Sequence, residues 1–75
     1  MAVTINEKNL VGYIMRYEGG ELDDEETLRL FAYLIKTGLA WRLQGCYGRA
    51  AARLIKAGII SKNGRINWKK LQLEV

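Results

Sequence analysis

Tyr47-Gly48-Arg49-Ala50-Ala51-Ala52-Arg53-Leu54-Ile55-Lys56-Ala57-Gly58-Ile59-Ile60-Ser61-Lys62-Asn63-Gly64-Arg65-Ile66-Asn67-Trp68 changes its period halfway along. In the first half Tyr47, Ala50, Ala51, Leu54 and Ile55 recur at i, i+3, i+4, i+7 and i+8, the spacing of one helix face. Arg49, Arg53 and Lys56 fall at i, i+4 and i+7 on the other face, and Gly58 suits the left-handed position that closes a helix. In the second half, Ile59–Lys62 and Arg65–Trp68 flank Asn63-Gly64, a pair that tolerates the two positive φ values of a type I′ turn. This predicts a β-hairpin pairing Lys62 with Arg65, Ser61 with Ile66, Ile60 with Asn67 and Ile59 with Trp68. Ile59, Ile66 and Trp68 then pack on the helices, and Lys62 and Arg65 stand side by side on the opposite face. Like charges directly opposite repel, which makes sense beneath a bound anion; the plainer alternative is a solvated tip. Lys69–Val75 reads equally as a strand extension or a helical turn.

Upstream of this stretch the pattern is helical throughout. Thr4-Ile5-Asn6-Glu7 has the form of a capping box, with Asn6 a second candidate cap. Leu10, Tyr13, Ile14 and Tyr17 then share one face, and Gly19-Gly20 stops the helix. Asp23 with Glu26 three residues on starts the next helix, and Asp24-Glu25-Glu26 sits where the helix dipole favours negative charge. That acidic run lacks the oxygen-ligand spacing of a cation loop. Leu28, Phe31, Ala32 and Ile35 form one face, which Leu30 and Leu34 widen; this marks a central helix closed by Gly38. Leu39–Gln44 is a short helix or turn before Gly45. The predicted helices are 6–18, 24–37 and 47–57, with a short one at 40–44. Trp41, Phe31, Leu34, Leu54, Ile55 and Trp68 are expected in the core. Arg29-x-x-Ala32-x-Leu34-Ile35-Lys36-x-Gly38 has an echo twenty residues on, which reflects two helices ended by the same glycine device.

Composition limits what such a chain can do. Seventy-five residues make one small domain, 1–75, that buries only roughly 60% of its unfolded surface. With no His, one Cys and one Ser, neither a Ser–His nor a Cys–His nucleophile can be assembled, nor a Cys/His zinc site. No enzyme activity, cofactor or metal is therefore expected. A single Cys points to a reduced, cytoplasmic setting. No apolar run reaches 18 residues and no signal-like start is present, so no membrane association is expected. Cys46 reads as a small packing residue.

Charge supplies the positive signal. Residues 1–27 carry seven carboxylates against Lys8 and Arg16, a net of −5. Residues 28–75 carry ten Lys/Arg against Glu74 alone, a net of +9. Such asymmetry suits an acidic partner, most simply a nucleic acid; the alternative is two solvated halves that neutralise each other. Arg49, Arg53, Lys56, Lys62 and Arg65 are the candidate contacts, since three cations and no acid share the helix face. Gln44 is either an adenine reader or a cap. Gly45 and Gly48 either let a phosphate approach or permit a tight turn.

The order of elements resembles a winged helix-turn-helix domain: a mainly α, helix-turn-helix-like fold with a C-terminal β-hairpin wing. Gly48–Ile60 is similar to its recognition helix and the start of its wing. The resemblance implies duplex DNA as partner, with Arg49, Arg53 and Lys56 on the inserted helix and Lys62, Asn63, Gly64 and Arg65 at the wing tip. A second resemblance is carried by Glu21–Thr27 and by Thr37–Arg49, which contains Leu43-Gln44-Gly45-Cys46-Tyr47-Gly48-Arg49. This looks like a family of small bacteriophage proteins with a Leu-Gln-Gly-x-Tyr-Gly-Arg signature, over roughly the middle two-thirds of the chain. It implies a phage origin and the host cytoplasm, with no activity attached. The expected function is thus a phage-type regulator that binds duplex DNA; the competing one is an effector that docks on a host protein.

Overall fold

Asp23 starts the central helix as its spacing requires. Its Oδ1 accepts the Glu26 amide at 2.8 Å, and the Glu26 Oε1 accepts the Asp23 amide at 3.3 Å, a reciprocal capping box. The computed structural model describes residues 5–43 and 45–73, the side chains of 71–73 excepted. Within them lie four α-helices: α1 (Leu10–Glu18), α2 (Asp24–Thr37), α3 (Gly45–Lys56) and α4 (Trp68–Leu73), with one 3₁₀ turn at Leu39–Trp41. Gly38 ends α2 at φ 82, the left-handed conformation foreseen for it, and Gly58 follows α3 at φ 76. α2 packs against α1 and against the 3₁₀ turn, and the 3₁₀ turn in turn supports α3.

The core is centred on α2. Leu30, Phe31 and Leu34 are essentially inaccessible, joined by Ile35, Ala40, Tyr47, Ala51 and Ile60. Phe31 meets Tyr17 of α1 edge-on, with centroids 5.3 Å apart at 81°, and lies 6.2 Å from the Tyr47 ring of α3. Three rings therefore join three helices. The Tyr47 hydroxyl donates to Glu18 Oε2 at 2.7 Å. Burial first, and this carboxylate second, hold the phenol well above its ordinary range. Below about pH 10 the phenol is protonated in both folded and unfolded chains, so its contribution is intact. Above that the unfolded chain ionises first, and the contribution declines as pH rises. Tyr47→Phe should therefore flatten part of the stability loss between about pH 10 and about pH 12. Urea melts of both proteins across that range check it; parallel curves would refute it.

Four expectations need correction. The first helix starts at Leu10, not residue 6. Asn6 Oδ1 instead accepts the Lys8 and Asn9 amides at 2.9 and 3.2 Å, a local turn that competes with helix. The Thr4 cap lies outside the described residues. Trp41 and Trp68 are 54% and 39% exposed, and Leu54 and Ile55 only half-buried. In the 3₁₀ turn it is Ala40 that points inward, leaving the indole of Trp41 outside. Cys46, read as packing, is exposed.

The fourth concerns the C-terminal hairpin wing, which does not form. Among the described residues there is no strand, only an isolated antiparallel bridge between Ile60 and Ile66. That bridge is one residue out of the predicted register, which exchanges the two faces. Ile60, assigned to the outer face, becomes fully buried. Ser61, not Lys62, stands opposite Arg65 and donates its amide to the Arg65 carbonyl at 2.8 Å. The cause is local. The Ser61 hydroxyl accepts the Asn63 and Arg65 amides, and Gly64 alone takes positive φ (+84), so a type I′ turn is absent. A Cβ at Gly64 would stand 2.6 Å from the Ala32 carbonyl oxygen, so glycine also lets the turn seat on α2. Beyond it, Asn67 Oδ1 accepts the Lys70 amide at 3.2 Å and caps α4 where a strand would have continued. The Lys70 ammonium donates back to the Ala57 carbonyl, placing a cation at the C-terminal end of α3.

Candidate nucleic-acid interface

α3 has its apolar side against the 3₁₀ turn and α2. Tyr47 and Ala51 are buried, and Gly48 lies so close that an added Cβ would be 3.4 Å from the Ala40 carbonyl. Gly48 thus serves helix packing rather than a tight turn. With that side occupied, helical spacing directs Arg49, Arg53 and Lys56 outward, and all three are exposed. Lys62 and Arg65 are also exposed. They line an open groove of about 510 Å³ together with Ile55 and Gly58 at the α3 end. The structure therefore brings Lys62 and Arg65 to the C-terminal end of α3. It does not put the three helix cations into that groove; they occupy the adjoining outward face. Gln44 lies outside the described residues.

Glu18 reaches α3, where its Oε2 accepts the Tyr47 hydroxyl, whereas Glu25 and Glu26 are paired away from that helix. Glu26 Oε2 pairs with Arg16 of α1 at 3.5 Å, and Glu25 Oε2 with Arg29 at 3.3 Å, one turn along α2. Among the described residues these are the only ion pairs, so none of the five candidate cations is neutralised by a carboxylate. Nor does any Asp or Glu occur between Thr27 and Leu73. No group of three or more Asp, Glu or Cys able to hold a metal ion occurs among the described residues. No helix among them is long and apolar enough to cross a membrane.

Sequence reasoning missed a second cationic surface. Arg29, Tyr33 and Lys36 line one stripe of α2 opposite Trp68, forming a groove of about 360 Å³ floored by Ala32 and Gly64. The Arg29 guanidinium stands 5.2 Å from the centre of the Trp68 ring. The i, i+4, i+7 spacing of Arg29, Tyr33 and Lys36 was available as a signal. Their meeting with Trp68 depends on α4, which took the place of the expected strand.

A model of a domain of unknown function, DUF7417, matches residues 6–74. The chain belongs to the DUF7417 family. No curated protein and no solved structure matches it. Membership in DUF7417 spans nearly the whole chain, including the 60–66 turn and α4.

Proposed function

We propose that this DUF7417 protein binds nucleic acid, duplex DNA foremost, through the outward face of α3 and the turn at its C-terminal end. One observation carries the reading. Five exposed cations, Arg49, Arg53, Lys56, Lys62 and Arg65, lie on adjoining surfaces with no ion pair among the described residues. The carboxylates of Glu25 and Glu26 are engaged elsewhere, so the positive potential is left free to meet phosphate. A helix fits the major groove, where Arg49 or Arg53 reaches base edges, while Lys62 and Arg65 meet backbone phosphate. The phage-type origin implied by the Leu-Gln-Gly-x-Tyr-Gly-Arg resemblance would make this a regulatory protein of the host cytoplasm. Titration of labelled duplex at low and moderate salt tests it. Four to five phosphate contacts imply a log–log slope near −4, and no measurable binding at low salt would end the proposal.

A second reading, an effector that docks on a host protein, draws on α1. Val11 and Met15, one turn apart, are 66% and 65% exposed, an apolar pair suited to the centre of a contact. This reading expects a stoichiometric partner from nuclease-treated lysate, retained in moderate salt and lost with Val11→Lys/Met15→Lys. Recovery of nothing, or of nucleic acid alone, counts against it.

A further inference from the structure

We propose that the groove between α2 and α4 is a nucleotide site, separate from the α3 face, in which a nucleobase stacks on Trp68 and its phosphate is held by Lys36. None of the five α3 and turn cations lines this groove, so the inference does not depend on duplex binding. Its volume, about 360 Å³, falls at the lower end of small-ligand pockets, which begin near ~300 Å³. The chemistry of its walls is specific. Trp68 is 39% exposed, an indole presented rather than consumed in the core. The Arg29 guanidinium is held over that indole at 5.2 Å and is tied from behind by Glu25, Nε to Oε2 at 3.3 Å. Glu25 thereby orients the plane and offsets much of its charge. Aromatic rings and guanidinium planes both stack bases. At 5.2 Å these two already cover each other on one side, so the base stacks on the exposed part of the indole and not between them.

Lys36 supplies the free charge. It lies two turns along the same stripe, roughly 10 Å of helix axis from Arg29, exposed and without an ion pair among the described residues. Tyr33 lies between them on the wall. The floor is kept open by small residues, since Gly64 seats directly on Ala32 and the Lys36 backbone. A planar apolar ledge at one end and a lone ammonium at the other match a base and its 5′-phosphate. The ligand is a nucleotide, either free or as one unit of a single strand.

The test uses Trp41→Phe, which leaves Trp68 as the sole tryptophan. Its emission is followed while adenosine 5′-monophosphate, adenosine, inorganic phosphate or a short oligothymidylate is added. Saturable quenching by the monophosphate or the oligonucleotide is expected, with inorganic phosphate silent. Lys36→Ala, at an exposed position, should weaken the response about tenfold or more, as loss of a charge-assisted bond does. An oligonucleotide that binds more than about tenfold tighter than the monophosphate assigns the site to a strand; equal binding assigns it to the free nucleotide. Arg49→Glu/Arg53→Glu should leave the quenching intact even where duplex binding is lost, so the two proposals fail separately. No saturable quenching by either ligand, an equal response to inorganic phosphate, or an unchanged Lys36→Ala titration would overturn the assignment.

Discussion

Phe31→Ala is expected to leave the protein largely unfolded at ambient temperature. Phe31 is 1% exposed, and its ring is the middle member of the Tyr17–Phe31–Tyr47 cluster that holds α1, α2 and α3 together. Deleting a fully buried phenyl costs about 3–5 kcal/mol, the lost transfer plus the cavity left behind. A core of this size rarely supplies more than about 3–5 kcal/mol in all. The deletion therefore consumes most of the margin. Leu30 and Leu34, already fully buried on the same helix, are not free to refill the space. Trp41→Phe is the matched control: its indole is 54% exposed, so the change should stay within about 0.5 kcal/mol. Thermal or urea melts of the two variants against the parent decide the matter. A Phe31→Ala melt that superimposes on the parent would show the core to be elsewhere.

The contrast between these two aromatics shows what the sequence carries and what it withholds. Phe31 could be read because α2 is long, periodic and capped at both ends by devices visible in the chain, Asp23 with Glu26 and Gly38. Trp41 could not. A single 3₁₀ turn has no repeat to count, and the choice between burying Ala40 or Trp41 rests on how that turn meets Gly48 of α3. The 59–68 segment fails for a related reason. Asn63-Gly64 correctly marks a reversal, but its type depends on one hydroxyl, Ser61, taking amides that a ladder would have used. A slip of one position then buries Ile60 and releases Trp68 to begin α4. At the site, periodicity alone placed Arg49, Arg53 and Lys56 outward. The groove of Arg29, Lys36 and Trp68 is a tertiary product, and residues far apart in sequence give no such signal without the fold.

The largest functional effect is expected from Arg49→Glu/Arg53→Glu. Both side chains are exposed on the face of α3 opposite its packing side, and neither is in an ion pair among the described residues, so reversal breaks no internal pair. Their melts should match the parent to within about 0.5 kcal/mol, as for other surface changes. Binding behaves differently. Each arginine that meets phosphate releases about one counterion, so removing two should flatten the salt slope from near −4 to near −2. Each lost contact costs about 1–3 kcal/mol, and the new carboxylates add repulsion against the same phosphates. At low salt the double variant should therefore bind roughly 30-fold to 10⁴-fold more weakly than the parent. Lys62→Glu/Arg65→Glu, on the turn, should weaken all duplexes alike, because phosphate contacts carry no sequence information. If Arg49 or Arg53 reaches a base edge, its single reversal should also relax preference at one position of a specific site. Titrations of the three variants at two salt concentrations separate these cases. A folded Arg49→Glu/Arg53→Glu protein that binds duplex as tightly as its parent would mean that the basic face of α3 is solvated surface, and that the free charge of this chain serves some other contact.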